Sequence, residues 1–100
     1  MAKRFRISGA VIAKLHEKHS VSRAEVIECF YNKVGPSFRD TRAEHQTDPV
    51  TQWFVAETDC QRVLKVVYIE YEDFFVIRTA YEPRDGSDDL YKKLCASLRK

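Results

Sequence analysis

Three apolar, β-branched segments follow one another with joins too short for anything but reversal. Thr51–Thr58 holds Trp53, Phe54 and Val55, Arg62–Ile69 holds Val63, Val66 and Val67, and Phe74–Tyr81 holds Phe75, Val76 and Ile77. The joins are Asp59-Cys60-Gln61 and Tyr71-Glu72-Asp73. A parallel crossover needs a dozen or more residues, so neighbouring segments pair antiparallel. Phe38–Thr41 reads as a shorter strand ahead of them, and the polar stretch from Ala43 to Pro49 reads as a loop.

Helical patterns flank this block. Ser8 to Lys18 carries Ile7, Val11 and Leu15 on one stripe, with Ser8 placed as N-cap. Ser22 to Asn32 is the clearest local signal. Ser22-Arg23-Ala24-Glu25 is a capping box, Val21 can staple onto Val26, and Val34-Gly35-Pro36 stops the helix. Val26, Cys29 and Phe30 form its inward stripe. After Glu82-Pro83-Arg84-Asp85-Gly86, Ser87 or Asp88 is placed to cap a last helix through Leu90, Leu94 and Leu98, widened by Tyr91 and Cys95. The expected fold is α+β: two N-terminal helices, a four-stranded antiparallel sheet and a C-terminal helix, in one domain over residues 1–100.

Charge gives only a weak constraint on partners. Seventeen Lys and Arg against 15 Asp and Glu leave a formal net charge of +2, so a nucleic-acid partner depends on where the cations sit rather than on their excess. Cys29, Cys60 and Cys95 are odd in number and lack metal-type spacing, which fits free thiols in a reducing cytoplasm. The basic start Met1–Arg6 leads into no apolar run of signal or membrane length. The sequence carries no metal-ligand motif and implies no cofactor. The absence of a Gly-rich phosphate loop weighs against an enzyme acting on a small nucleotide-like substrate.

Several weak motifs, taken in order, resemble one known family. Glu17-Lys18-His19, Val21-Ser22, a Glu-bearing second helix ending in Phe30, His45 in the loop, Arg62-Val63-Leu64-Lys65-Val66-Val67-Tyr68, and Ile77-Arg78-Thr79-Ala80 together resemble the BrnT-like toxins over about residues 5 to 95. The resemblance implies a RelE-type fold and a metal-independent ribonuclease. It also implies a ribbon-helix-helix antitoxin that silences the toxin and carries the complex to DNA. The chain departs from the family's Ser-Ala-basic triplet, having Thr79-Ala80-Tyr81, and it has Lys65 where the family often has an apolar residue.

Metal-free RNA cleavage needs a base for the 2′-OH, cations for the phosphorane and an acid for the leaving 5′-oxygen. Arg78 and Lys65 each interrupt an apolar strand. They read either as a phosphate-binding pair or as side chains snorkelling from a half-solvated sheet, depending on register. On strict alternation Phe74, Val76, Arg78 and Ala80 share one face. His45 reads as a loop base or an ordinary surface histidine. Glu57 reads as a base or as a salt-bridge partner of Arg62 or Lys65, and Tyr81 as a phosphate donor or a packed aromatic. Trp53 could stack a base or belong to the core, and His16 and His19 lie three apart at a helix end. Arg62, Arg42 and Arg39 are candidates for binding RNA phosphates, with Arg84 in the same basic half. The expected activity is therefore ribonucleolytic, with RNA and an antitoxin as partners and no membrane. The competing expectation is a non-catalytic interaction module on a toxin fold.

Overall fold

A computed structural model describes residues 4–40 and 49–98. Its elements are β1 (Arg4–Arg6), α1 (Gly9–His19), α2 (Arg23–Tyr31), β2 (Phe38–Arg39), β3 (Thr51–Glu57), β4 (Val63–Glu70), β5 (Phe74–Tyr81) and α3 (Ser87–Leu98). The chain is α+β, and the three central strands pair antiparallel as the short joins require.

The sheet has five strands, not four, in the order β1-β5-β4-β3-β2, and it is not wholly antiparallel. β1 lies parallel to β5, pairing Arg4 with Phe74, Phe5 with Phe75 and Arg6 with Val76. Three residues with a single apolar member give no period-2 signal, and their partner lies about seventy residues away along the chain. This strand positions α1. Leaving β1 beside β5, the chain enters α1, which packs along β5 toward its far end.

Register separates the two sheet faces. Gln52, Phe54 and Ala56 of β3 stand with Leu64, Val66 and Tyr68 of β4, and Trp53 and Val55 stand with Lys65 and Val67. α2 covers the first face, where the Phe30 ring meets Phe54 at 4.9 Å and Tyr68 at 5.1 Å. α3 covers the second, where Tyr91 meets Trp53 at 5.8 Å. Ile77 and Ala80 of β5 are buried on the α2 face, which places α1 on that face too.

A β-bulge breaks the alternation expected in β5. Val67 pairs with Thr79 but Tyr68 pairs with Ile77, so Arg78 is an extra residue without a partner on β4. Ile77 and Ala80, three apart, therefore share one face. Phe74, Val76, Arg78 and Ala80 do not.

Local chemistry closes the helices. Ser22 N–H donates to Glu25 Oε1 at 3.0 Å and Glu25 N–H to Ser22 Oγ at 3.2 Å, completing the capping box. Val21 and Val26 beside it are buried. At α3 the expected cap shifts: Ser87 is already helical, and Asp85 Oδ1 accepts its N–H at 3.0 Å. The buried stripe of α3 centres on Tyr91, with Leu94 and Cys95 half-buried, while Leu90 and Leu98 are exposed. The four-residue leucine spacing thus marks the flank of the packed face rather than its middle. Trp53 belongs to the core at 7% exposure.

Phe54 is fully buried between α2 and the sheet. Phe54→Ala should lower unfolding free energy by about 3–5 kcal/mol, read from the urea midpoint at unchanged m-value.

Candidate functional site

The end of α1, the start of β4 and the chain leaving β5 enclose an open groove of about 610 Å³. Lys18, His19 and Ser20 line one side, Arg62 the floor, and Tyr81, Glu82, Arg84 and Asp85 the other.

The α1 side is shaped by Ser20. It is a left-handed residue at φ 53°, whose N–H closes the helix onto His16 O at 3.2 Å. That turn presents the carbonyls of His19 and of Ser20 itself to Arg62, whose Nη2 donates to His19 O at 2.9 Å and Nη1 to Ser20 O at 2.7 Å. The same guanidinium reaches Glu25 at 3.0 Å and Glu82 at 2.9 Å. Arg62 therefore joins the end of α1, the capping box of α2, the start of β4 and the end of β5. Burial opposes its charge, but its hydrogen bonds to Glu25 and Glu82 outweigh that and raise its pKa. For Glu25, burial likewise acts against ionisation. The Ser22 backbone bond and the Arg62 contact prevail and hold its carboxyl below the usual value.

His19 is half-buried and its ring lies 5.5 Å from that of Tyr81. Burial, then Lys14 and Lys18, lower its pKa from 6.5, so the imidazole is neutral at pH 7 and offers a lone pair. Lys18 and Arg84 are exposed on the rim. Asp85 is held below its usual pKa first by the Ser87 hydroxyl, with Lys65 contributing.

The residues singled out in the sequence fall in different places. Tyr81 and Arg62 line the groove. Lys65 lies behind its wall at 7% exposure, with Nζ donating to Ser87 Oγ at 3.1 Å and standing 3.9 Å from Asp85. Its ammonium sits 4.9 Å from the Trp53 ring and 5.7 Å from that of Tyr81. Arg78 is exposed on the bulge and does not line the groove. The register sets Lys65 opposite Tyr81, so these two cations do not converge. Glu57 lies at the far end of β3, opposite Val63, and lines a separate cavity beneath α3. The carboxylates meeting Arg62 and Lys65 are instead Glu25, Glu82 and Asp85. Arg39 is exposed on β2, at the opposite edge of the sheet. Arg42 and His45 lie outside the described residues.

Lys18 and His19 were not among the expected site residues. The usable signal was the pair of rings at two element ends, but it takes the parallel β1 and the Arg62 clamp to bring those ends together. Cys29 takes no part: burial raises its thiol to about 12, and it donates to Ala56 O at 3.7 Å. Among the described residues, no helix is long and apolar enough to cross a membrane. No protein-family model matches the chain, and no curated protein matches it.

Replacing Arg62 by Met should cost about 2–3 kcal/mol, since it strands two carboxylates and two carbonyls at a partly screened site. Because the folded-state pKa of Glu25 is depressed, its contribution is present above about pH 4.5 and is lost as pH falls through the folded value. Glu25→Gln should therefore flatten the acid limb of stability against pH, measured by denaturation from pH 7 to 3.

Proposed function

We propose that this chain is a metal-independent endoribonuclease that cleaves RNA at the groove between α1 and the end of β5, acting as the toxin of a toxin–antitoxin pair. One observation carries the reading: a neutral imidazole, a phenol and two rim cations, His19, Tyr81, Lys18 and Arg84, line a single concavity.

The chemistry follows from those groups. His19 takes the proton of the ribose 2′-OH, and that oxygen attacks the adjacent phosphorus. Lys18 and Arg84 neutralise charge on the phosphorane oxygens. The P–O5′ bond breaks as the P–O2′ bond forms, leaving a 2′,3′-cyclic phosphate. Tyr81 gives its proton to the departing 5′-oxygen. Arg62 does not touch RNA in this scheme, because its donors are occupied by His19, Ser20, Glu25 and Glu82. The partner is a ribbon-helix-helix antitoxin, and DNA is reached only through it.

A specific observation favours a second reading, a non-catalytic interaction module on the same fold. Two cations expected to meet RNA, Lys65 in catalysis and Arg62 as a phosphate contact, are engaged by the protein's own groups.

Purified protein should cleave unmodified RNA in the presence of a chelator and leave cyclic phosphate ends. His19→Gln should lower the rate at least a hundredfold. The acid limb of the rate profile should have its midpoint below pH 6.5, set by His19. Intact RNA after prolonged incubation with folded protein would decide for the second reading.

A further inference from the structure

The groove is not the only basic surface, and the second one leads into it. The α3 face of the sheet is buried at Trp53, Lys65 and Val67, but that cover thins toward β5 and β1. Ile69 pairs with Val76 and Val67 with Thr79, so Val76 and Thr79 share this face, and both are half-buried. Phe74, two residues before Val76, shares it too, and its ring stacks on Tyr71 at 4.9 Å and 21°. Arg4 and Arg6 of β1 pair with Phe74 and Val76 and are exposed. The Arg6 guanidinium lies 4.1 Å from the centre of the Phe74 ring. Arg78, the bulge residue, is exposed between Val76 and Thr79.

Arg62 is saturated by carboxylates and carbonyls. Arg4, Arg6 and Arg78 meet no side-chain carboxylate among the described residues. The nearest acids in sequence, Glu72 and Asp73, are in the turn at the foot of β5. β1 covers the outer edge of β5 only at Phe74–Val76. Among the described residues, no strand lies beside Ile77–Tyr81 on that side. The path from Phe74 to Tyr81 is about 23 Å long and ends in the groove.

We infer that this strip is a docking track for single-stranded RNA, which runs along β5 and enters the groove at Tyr81. Arg4, Arg6 and Arg78 bind successive phosphates, and an unpaired base takes the place of the Arg6 guanidinium over the Phe74 ring as Arg6 turns to its phosphate. Exposed arginines beside a half-buried aromatic pair suit a chain whose bases are splayed. A duplex hides its bases from such a surface. The inference rests on the reading of the groove as an RNA site and names the form of RNA it takes.

The test is fluorescence anisotropy with a labelled 2′-O-methyl oligouridylate of about 12 residues. It lacks the attacking hydroxyl, so binding is read apart from cleavage. Inorganic polyphosphate serves as an anion without bases. The triple variant Arg4→Gln, Arg6→Gln, Arg78→Gln should bind the oligonucleotide at least tenfold more weakly. The slope of log affinity against log salt should fall by about 2, and by about 0.7 for Arg78→Gln alone. Phe74→Leu should weaken the oligonucleotide about tenfold and leave polyphosphate unchanged. Circular dichroism confirms that each variant is folded, and the single exposed substitution Arg78→Gln keeps the test open if the triple variant is not. Unchanged affinity and salt slope in the folded arginine variants would overturn the track. So would equal loss of both ligands in Phe74→Leu. Tight, arginine-dependent binding by a protein that never cuts unmodified RNA defeats the nuclease reading and leaves the track standing. Cleavage with binding indifferent to the three arginines does the reverse.

Discussion

The guanidinium of Arg62 is the contact on which the arrangement of the molecule's upper end depends. It gathers two carbonyls at the end of α1, the carboxylate of the α2 capping box and the carboxylate just after β5. Each group alone would be a partly solvated polar atom of little consequence. Joined through one planar fork, they fix the angle between two helices and the sheet edge. His19 owes its position beside Tyr81 to this clamp, because the backbone that Arg62 holds is that of His19 itself. Arg78 or Lys65 could be altered without moving that backbone directly.

Some of this architecture is legible in the residues. The capping box of α2 and the antiparallel pairing of β3, β4 and β5 follow from local chemistry and from joins too short to do anything else. β1 is not legible, because Arg4-Phe5-Arg6 has one apolar residue and a partner at the other end of the chain. The bulge at Arg78 is equally silent, since nothing in Ile77-Arg78-Thr79 marks an extra residue. Both omissions bear on the site. With β1 unread, the alignment of α1 with β5 cannot be foreseen, and Lys18-His19 looks like a helix end facing solvent. Without the bulge, strict alternation assigns Arg78 to a face it does not share with Ala80. Tyr81 and Arg62 were legible as site residues because each marks the end of a strong strand. Their partners belong to a distant segment.

Lys65 shows how a residue can belong to a site's frame without lining it. Its position in an apolar strand suggested a cation held for chemistry. Instead the ammonium lies between the Trp53 and Tyr81 rings and against Ser87, and it helps to hold Asp85 ionised at the start of α3. A buried charge is tolerable where hydrogen bonds, a nearby carboxylate and ring faces replace water. The consequence is structural. The wall of the groove that carries Tyr81 and Asp85 is held from behind by this one side chain.

The small net charge then acquires a different meaning. Seventeen basic residues nearly balance fifteen acidic ones, but the balance is not local. Arg62 consumes Glu25 and Glu82, and Lys65 is answered by Asp85. These pairs neutralise charge around the frame. Arg4, Arg6 and Arg78 receive no such answer along β5, and Lys18 and Arg84 stand on the rim at its end. Unpaired arginines therefore line β1 and β5, and two further cations stand at the groove. A polyanion senses the local field within a Debye length of about 10 Å, not the sum over the chain. A protein with a net charge of +2 can thus present a locally positive path where its arginines stand clear of ion pairs.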